Sequence, residues 1–174
     1  GQVETDASLQ WGHAGLRTNV ELLQATRRAR PDAWISYKPH PDVLAGLRDR
    51  SHRAGAHGID TWRAHCDEVV TDAPMGPLLS QVHEVHTLTS LAGFEALMRG
   101  TAVVTWGLPF YAGWGLTDDR APAHSPALQR RTPRLALDEL VAATLILYPA
   151  YVSRVSGAFT TRERDDMRTP SRAP

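Results

Sequence analysis

The chain holds one cysteine, one lysine and no apolar run of the ~20 residues that a membrane-spanning helix needs. A lone thiol, Cys66, excludes an internal disulfide and accords with a reducing compartment. Charge of one sign is also missing: 19 basic residues balance 19 acidic ones, so no global field draws the chain to nucleic acid or to an anionic membrane. Any anion site must therefore be local. A Walker loop and the Gly-rich dinucleotide fingerprint are absent. His52, His57, His65 and Cys66 stand near one another, but their spacing fits no familiar zinc pattern, and no metal is expected.

What the chain has is alternation. With 42% hydrophobic residues in 174, it can build one ordinary core. The segment 15–30 sets Leu16, Val20, Leu23 and Arg27 on one helical face before Pro31. "AWISYK" (33–38) predicts a strand that ends at Lys38, because Pro39 has no N–H to donate. Further strands are predicted over 67–72, 84–89 and 101–106. Helices are predicted over 73–82, over 90–100 with Leu91, Phe94, Leu97 and Met98 inward, and over 135–151. This order predicts an α/β fold, a Rossmann-like parallel sheet with helices on both faces and ligands at the carboxyl ends of the strands. Residues 152–174 are short of apolar side chains and are expected to be a mobile tail. The chain opens on Gly1 and a polar stretch with no strand before it. That predicts a fragment of a longer protein whose first strand is missing.

Four stretches carry candidate chemistry. In "KPHP", each proline extends the residue before it, so Lys38 and His40 fall on the same side and can converge on a phosphate; a proline-rich turn is the alternative. Lys38 is the only lysine beside eighteen arginines, and a compact ammonium differs in kind from a planar guanidinium. In "TSLAGFE", Thr89 and Ser90 bring hydroxyls to a strand-to-helix junction, with simple capping as the alternative, and Glu95 faces either a ribose or solvent. "WGLPFYAGWGLTDD" (106–119) offers Trp106, Phe110, Tyr111 and Trp114 either as a wall for a base or sugar or as packing. "GQVETDAS" groups Gln2, Glu4 and Asp6 on what reads as a loop, and carboxylates are the usual nucleophiles of glycosyl chemistry.

Together with "LDELVAATLILYPAY", these stretches resemble the capsular polysaccharide β-Kdo transferases of the KpsC type over residues 1 to 151. The resemblance implies the C-terminal, nucleotide-binding half of a GT-B glycosyltransferase that retains configuration and carries Kdo from CMP-Kdo to a lipid-linked acceptor. It implies phosphate contacts from Lys38, His40, Pro41, Thr89 and Ser90, a ribose contact from Glu95 and Asp6 as the nucleophile; His40 is also a candidate to give the leaving phosphate its proton, and Gln2, Tyr111 and Trp114 are a candidate wall for the sugar or base. No cofactor beyond the donor is implied. The expected partners are the missing N-terminal half and the capsule assembly machinery, at the cytoplasmic face of the bacterial inner membrane. Two rivals remain at this point: a transferase for another CMP-activated acidic sugar, and a nucleotide-fold module kept only for assembly.

Overall fold

The computed structural model describes residues 1–44, 59–154 and 156–161. The chain divides into two compact units, Gly1–Arg134 and Leu135–Pro174.

The first unit opens with a helix the sequence reading placed in a loop. Asp6 accepts from Ser8 N–H at 2.8 Å and starts α1 (Ala7–Gly12), which buries Leu9. Helix α2 (Asn19–Ala29) begins four residues later than the periodicity suggests. Gly15 sits at φ +117°, outside helical geometry, and Thr18 and Glu21 form a reciprocal capping box. Leu22 and Leu23 are adjacent on α2 yet enter different cores. Leu23 packs with Ile35, Tyr37, Trp62 and Cys66, whereas Leu22 packs with Leu9 and Leu88. Burying each leucine contributes ~1.5–3 kcal/mol, so α2 is fixed over two separate groups of strands.

Those groups are parallel. Strand β1 (Ser36–Tyr37) pairs with β2 (Glu68–Val69), and β3 (Glu84–Thr87) pairs with β4 (Ala102–Thr105), which pairs in turn with β5 (Asp118–Asp119). All are shorter than the predicted runs, and β5 lies within the stretch read as an aromatic loop. Between β1 and β2 lie α3 (Pro41–Leu44) and α4 (Ile59–Arg63); α5 (Met75–Leu79) leads to β3, and α6 (Leu91–Leu97) joins β3 to β4. Parallel neighbours require crossover connections, helical between β1 and β2 and between β3 and β4 and irregular between β4 and β5. On α6 the buried face is Gly93, Phe94, Ala96 and Leu97, while Leu91 and Met98, predicted inward, are exposed. Helix α7 (Pro126–Arg130) ends this unit's regular structure.

In the second unit, the predicted helix 135–151 is broken into α8 (Leu137–Ala142) and a π-helical turn, Ala143–Leu147. Thr144 Oγ1 donates to the Leu140 carbonyl at 2.7 Å and competes for the acceptor of the next turn. Pro149 cannot continue the ladder. Then β6 (Tyr151–Val152) and β7 (Phe159–Thr160) pair antiparallel, so part of the expected tail forms a hairpin. Residue 155 and residues 162–174 of that tail lie outside the described residues, as do His52 and His57.

Candidate active site

Of the polar groups singled out in the sequence, Lys38 follows the end of β1, and Thr89 and Ser90 follow the end of β3. Gly1 donates its backbone nitrogen to the Lys38 carbonyl at 2.7 Å. The next residue, Gln2, is buried and spends both ends of its amide on Thr89: Nε2 donates to Oγ1, and Oε1 accepts from the Thr89 N–H, each at 2.8 Å. Gln2 is thus a latch between the opening segment and the end of β3, turned inward instead of forming a wall for a sugar. Asn19 secures the latch from α2, because its side-chain amide pairs with both the N–H and the carbonyl of Gln2 at 2.8 Å. Glu4 takes the Asn19 backbone N–H at 2.7 Å and its side-chain N–H at 3.0 Å. Sequence reading missed Asn19; the only signal was a polar residue directly after a helix cap.

Thr89 also lies 3.4 Å from the Ser8 hydroxyl. Ser90 accepts from the Ala92 N–H at 3.2 Å and takes its own position from Thr87 Oγ1, which accepts the Ser90 N–H at 3.3 Å. The capping reading of Ser90 is therefore correct. The hydroxyl's own proton remains available to a ligand. Asp6 stands three residues before Leu9 with Oδ1 committed to the cap of α1, which fixes the orientation of its carboxylate.

On the β1 side, Pro39 is buried and Lys38 is half-buried. His40 Nδ1 accepts the Asp42 N–H at 3.1 Å, which places the proton of the neutral ring on Nε2, while the side chain is 42% exposed. Pro41 is the first residue of α3. Lys38 and Ser90 both line a cavity of about 1000 Å³ that runs between β1 and β3; His40 and Thr89 are not among its lining residues. The side chain of Glu95 is half-buried on α6.

Tyr111 does not form part of a ligand wall. It is wholly buried between Phe94 and Phe110, and its hydroxyl donates to the Ser90 carbonyl. Gly93 makes the room: a Cβ there would stand 2.2 Å from the Tyr111 oxygen. Burial also pushes the Tyr111 hydroxyl above its ordinary pKa, keeping it a donor. Trp114 donates Nε1 to the Phe110 carbonyl at 2.7 Å, with the Arg131 guanidinium 5.8 Å over its ring. Asp119 organises the rest of that loop through Gly113 N–H, Thr105 and Thr117.

A polar chain absent from the sequence reading runs along β3. Arg30 donates to Glu84 at 2.8 Å, Glu84 meets His86 Nε2 at 2.6 Å, and Trp106 Nε1 donates to His86 Nδ1 at 3.0 Å. Burial lowers the His86 pKa against the pull of Glu84. Burial raises the Glu84 carboxyl, but the hydrogen bonds from Arg30 and His86 outweigh it and leave the group below its ordinary value. At Cys66 the thiol donates to the Trp62 carbonyl and burial raises its pKa, the state of an inert core thiol.

No described helix is long and apolar enough to cross a membrane. The chain is 46% identical over 152 residues to the capsule polysaccharide modification protein LipA of Neisseria meningitidis serogroup A, covering 87% of this chain and 20% of that protein. It is 46% identical over 151 residues to the lipopolysaccharide-processing protein LpsZ of Rhizobium meliloti, covering 87% of this chain and 32% of that one. The chain thus spans a fifth to a third of the length of these relatives. Among solved structures it is similar to the β-Kdo 2,7 transferase of Thermosulfurimonas dismutans KpsC, with a TM-score of 0.78 and 43% identity over 94% of this chain and 50% of that one. The β-Kdo 2,4 transferase of the same KpsC gives a TM-score of 0.68 and 32% identity, covering 93% and 47%. The family model for capsule polysaccharide biosynthesis proteins matches residues 1–151, from the Gln2 latch to the start of the β6–β7 hairpin, and the chain belongs to that family.

Proposed function

We propose that this chain is the donor-binding part of a GT-B glycosyltransferase that moves Kdo from CMP-Kdo to a lipid-linked acceptor in capsule synthesis. The observation that carries the reading is the two-way hydrogen bond between Gln2 and Thr89, which joins the "GQVETD" and "TSLAGFE" motifs at the carboxyl end of a parallel sheet. Similarity to a β-Kdo 2,7 transferase at 43% identity, against 32% for the 2,4 enzyme, favours a 2,7-type product.

In this reading the donor phosphate lies at the strand ends, with Lys38 and His40 on one side and the Thr89 and Ser90 hydroxyls on the other. His40 donates from Nε2, since Nδ1 is occupied by the Asp42 N–H. Pro41 starts α3 and sets the backbone there, and Glu95 is the ribose contact on α6. Trp114 borders the sugar or base. Asp6 attacks the anomeric carbon of Kdo as CMP leaves with the electron pair of the broken bond; an acceptor hydroxyl, giving its proton to a base in the remainder of the full-length protein, then displaces the Asp6 carboxylate, for net retention. The acceptor groove belongs to the remainder of the full-length protein. So do the capsule-assembly contacts, which place the enzyme at the inner face of the membrane.

Calorimetry of the full-length protein with CMP tests the site. His40→Ala should weaken CMP binding about tenfold, a loss of ~1.4 kcal/mol, and Lys38→Arg should weaken it measurably because geometry is used as well as charge. If both variants bind CMP like the parent, the site lies elsewhere. Turnover of CMP-sialic acid with no turnover of CMP-Kdo would replace the donor assignment.

A further inference from the structure

The turn that carries Tyr111 is clamped from outside its own stretch of sequence. Within the turn, the Ala112 N–H donates back to the Pro109 carbonyl at 3.1 Å, which sets Phe110 and Tyr111 at the corner. Arg131, the residue that ends α7, reaches back to it from 22 and 19 positions further along the chain. Its Nη1 donates to the Pro109 carbonyl at 2.6 Å and to the Ala112 carbonyl at 2.9 Å, one on each side of the corner. The Phe110 carbonyl between them accepts from Trp114 Nε1, and the Arg131 guanidinium lies over the Trp114 ring.

We infer that Arg131 is a positioning residue for the donor: it holds this turn so that Tyr111 keeps Ser90 in place for the donor phosphate. The inference rests on the proposed reading of the site, in which the Ser90 hydroxyl contacts that phosphate. Arg131 itself lies outside the motifs that carry the family resemblance.

Close packing leaves the turn little room to slide. Gly113 takes a φ of +84°, and a Cβ there would stand 2.7 Å from Leu128 Cδ2 and 3.2 Å from Arg131 Cδ, so the loop lies directly against the end of α7. Asp119 holds the same glycine by its N–H at 2.9 Å. A cation thus fixes carbonyls of the loop and an anion fixes one of its N–H groups. Arg131 is half-buried, and a charged donor holds a carbonyl more strongly than a neutral one does.

From the turn the constraint passes to Ser90. The Tyr111 hydroxyl donates to the Ser90 carbonyl, which also accepts the Gly93 N–H at 3.1 Å. The ring is wholly buried, with Phe94 and Phe110 at centroid distances of 6.3 and 5.2 Å, and Gly93 leaves no further space beside its oxygen. What remains to set its reach is the backbone of residues 109–112, where Arg131 acts. Hydrogen bonds weaken steeply with misalignment, so a small shift of this turn alters how the Ser90 hydroxyl meets a phosphate.

Calorimetry with CMP on the full-length protein, at a temperature where each variant is folded, tests the inference as a double-mutant cycle. Arg131→Ala should weaken CMP binding about tenfold, and Tyr111→Phe should do so by a similar factor. In the Tyr111→Phe background, Arg131→Ala should change the affinity by less than about twofold, because the link it acts through is already cut. A merely structural role lowers Tm and leaves the affinity of the folded protein unchanged. Should Arg131→Ala not fold, Arg131→Lys takes its place: an ammonium keeps the charge but cannot lie flat over Trp114, and a loss of about threefold is expected with Tyr111 present and none with phenylalanine there. Folded Arg131 variants that bind CMP like the parent overturn the inference and leave the reading of the site intact. Equal weakening in both backgrounds also overturns it, since Arg131 then acts by another route. A parent protein that does not bind CMP overturns the reading of the site itself, and the inference with it.

Discussion

The two lips of the candidate site are built differently. On the β3 side, Thr89 and Ser90 are held by Gln2, Ser8, Thr87 and Tyr111, and behind them Gly93 and Tyr111 interlock. On the β1 side, Lys38 and His40 are fixed mainly through backbone and ring nitrogen, and the outer part of the His40 ring is presented to solvent. The contrast teaches a division of labour. In the proposed site one lip is a shelf whose failure is expected to show first in stability, and the other presents side chains whose failure is expected to show first in binding.

The sharpest way to break that division is Asp6→Asn, because asparagine caps a helix as well as aspartate. If Asp6 is the nucleophile, turnover of CMP-Kdo by the full-length protein should fall about 10³-fold or more with little change in Tm; retained turnover would reduce Asp6 to a cap. Next in size, Gly93→Ala should destabilise by about 1–3 kcal/mol in denaturant unfolding, because its Cβ meets the Tyr111 oxygen at 2.2 Å. Tyr111→Phe added to it should recover part of that loss; no recovery would detach the shelf from this pair. Gln2→Leu keeps the bulk but leaves the partly buried Thr89 N–H without its acceptor, at a cost of about 1 kcal/mol. That variant should also weaken CMP binding, whereas an effect on stability alone would separate latch from site.

The smallest effect concerns pH. Burial depresses the His86 pKa below its ordinary 6.5, so the unfolded chain binds more protons than the folded one as pH falls from that value. Stability from this group is fully present above pH 6.5 and is lost as pH drops through the lower folded value. Glu84, also depressed, adds a second loss below its ordinary 4.5. The slope just below pH 6.5 should flatten in His86→Gln, which can still accept from Trp106 and donate to Glu84. An unchanged slope would assign the pH dependence to other groups.

Several of these features were legible from residue order. A strand that stops before Pro39 follows from that proline, although it ends at Tyr37 and not at Lys38, and the α6 cap follows from Ser90 before an apolar run. Other features were not. Tyr111 looked like a ligand wall because a ring on a glycine-rich loop reads as exposed; the hole left by Gly93, eighteen positions away, is a tertiary fact. α1 was missed because six residues with one buried leucine give too little periodicity to stand out from a polar loop.

The sequence by itself determined the alternation of helix and strand and the motifs that mark the family, since both rest on local periodicity and on residue types at fixed spacing. Only the tertiary structure decided that Gln2 closes on Thr89 and that Tyr111 turns inward. Those are long-range pairings, set by which backbone and side-chain groups find partners once the helices have packed.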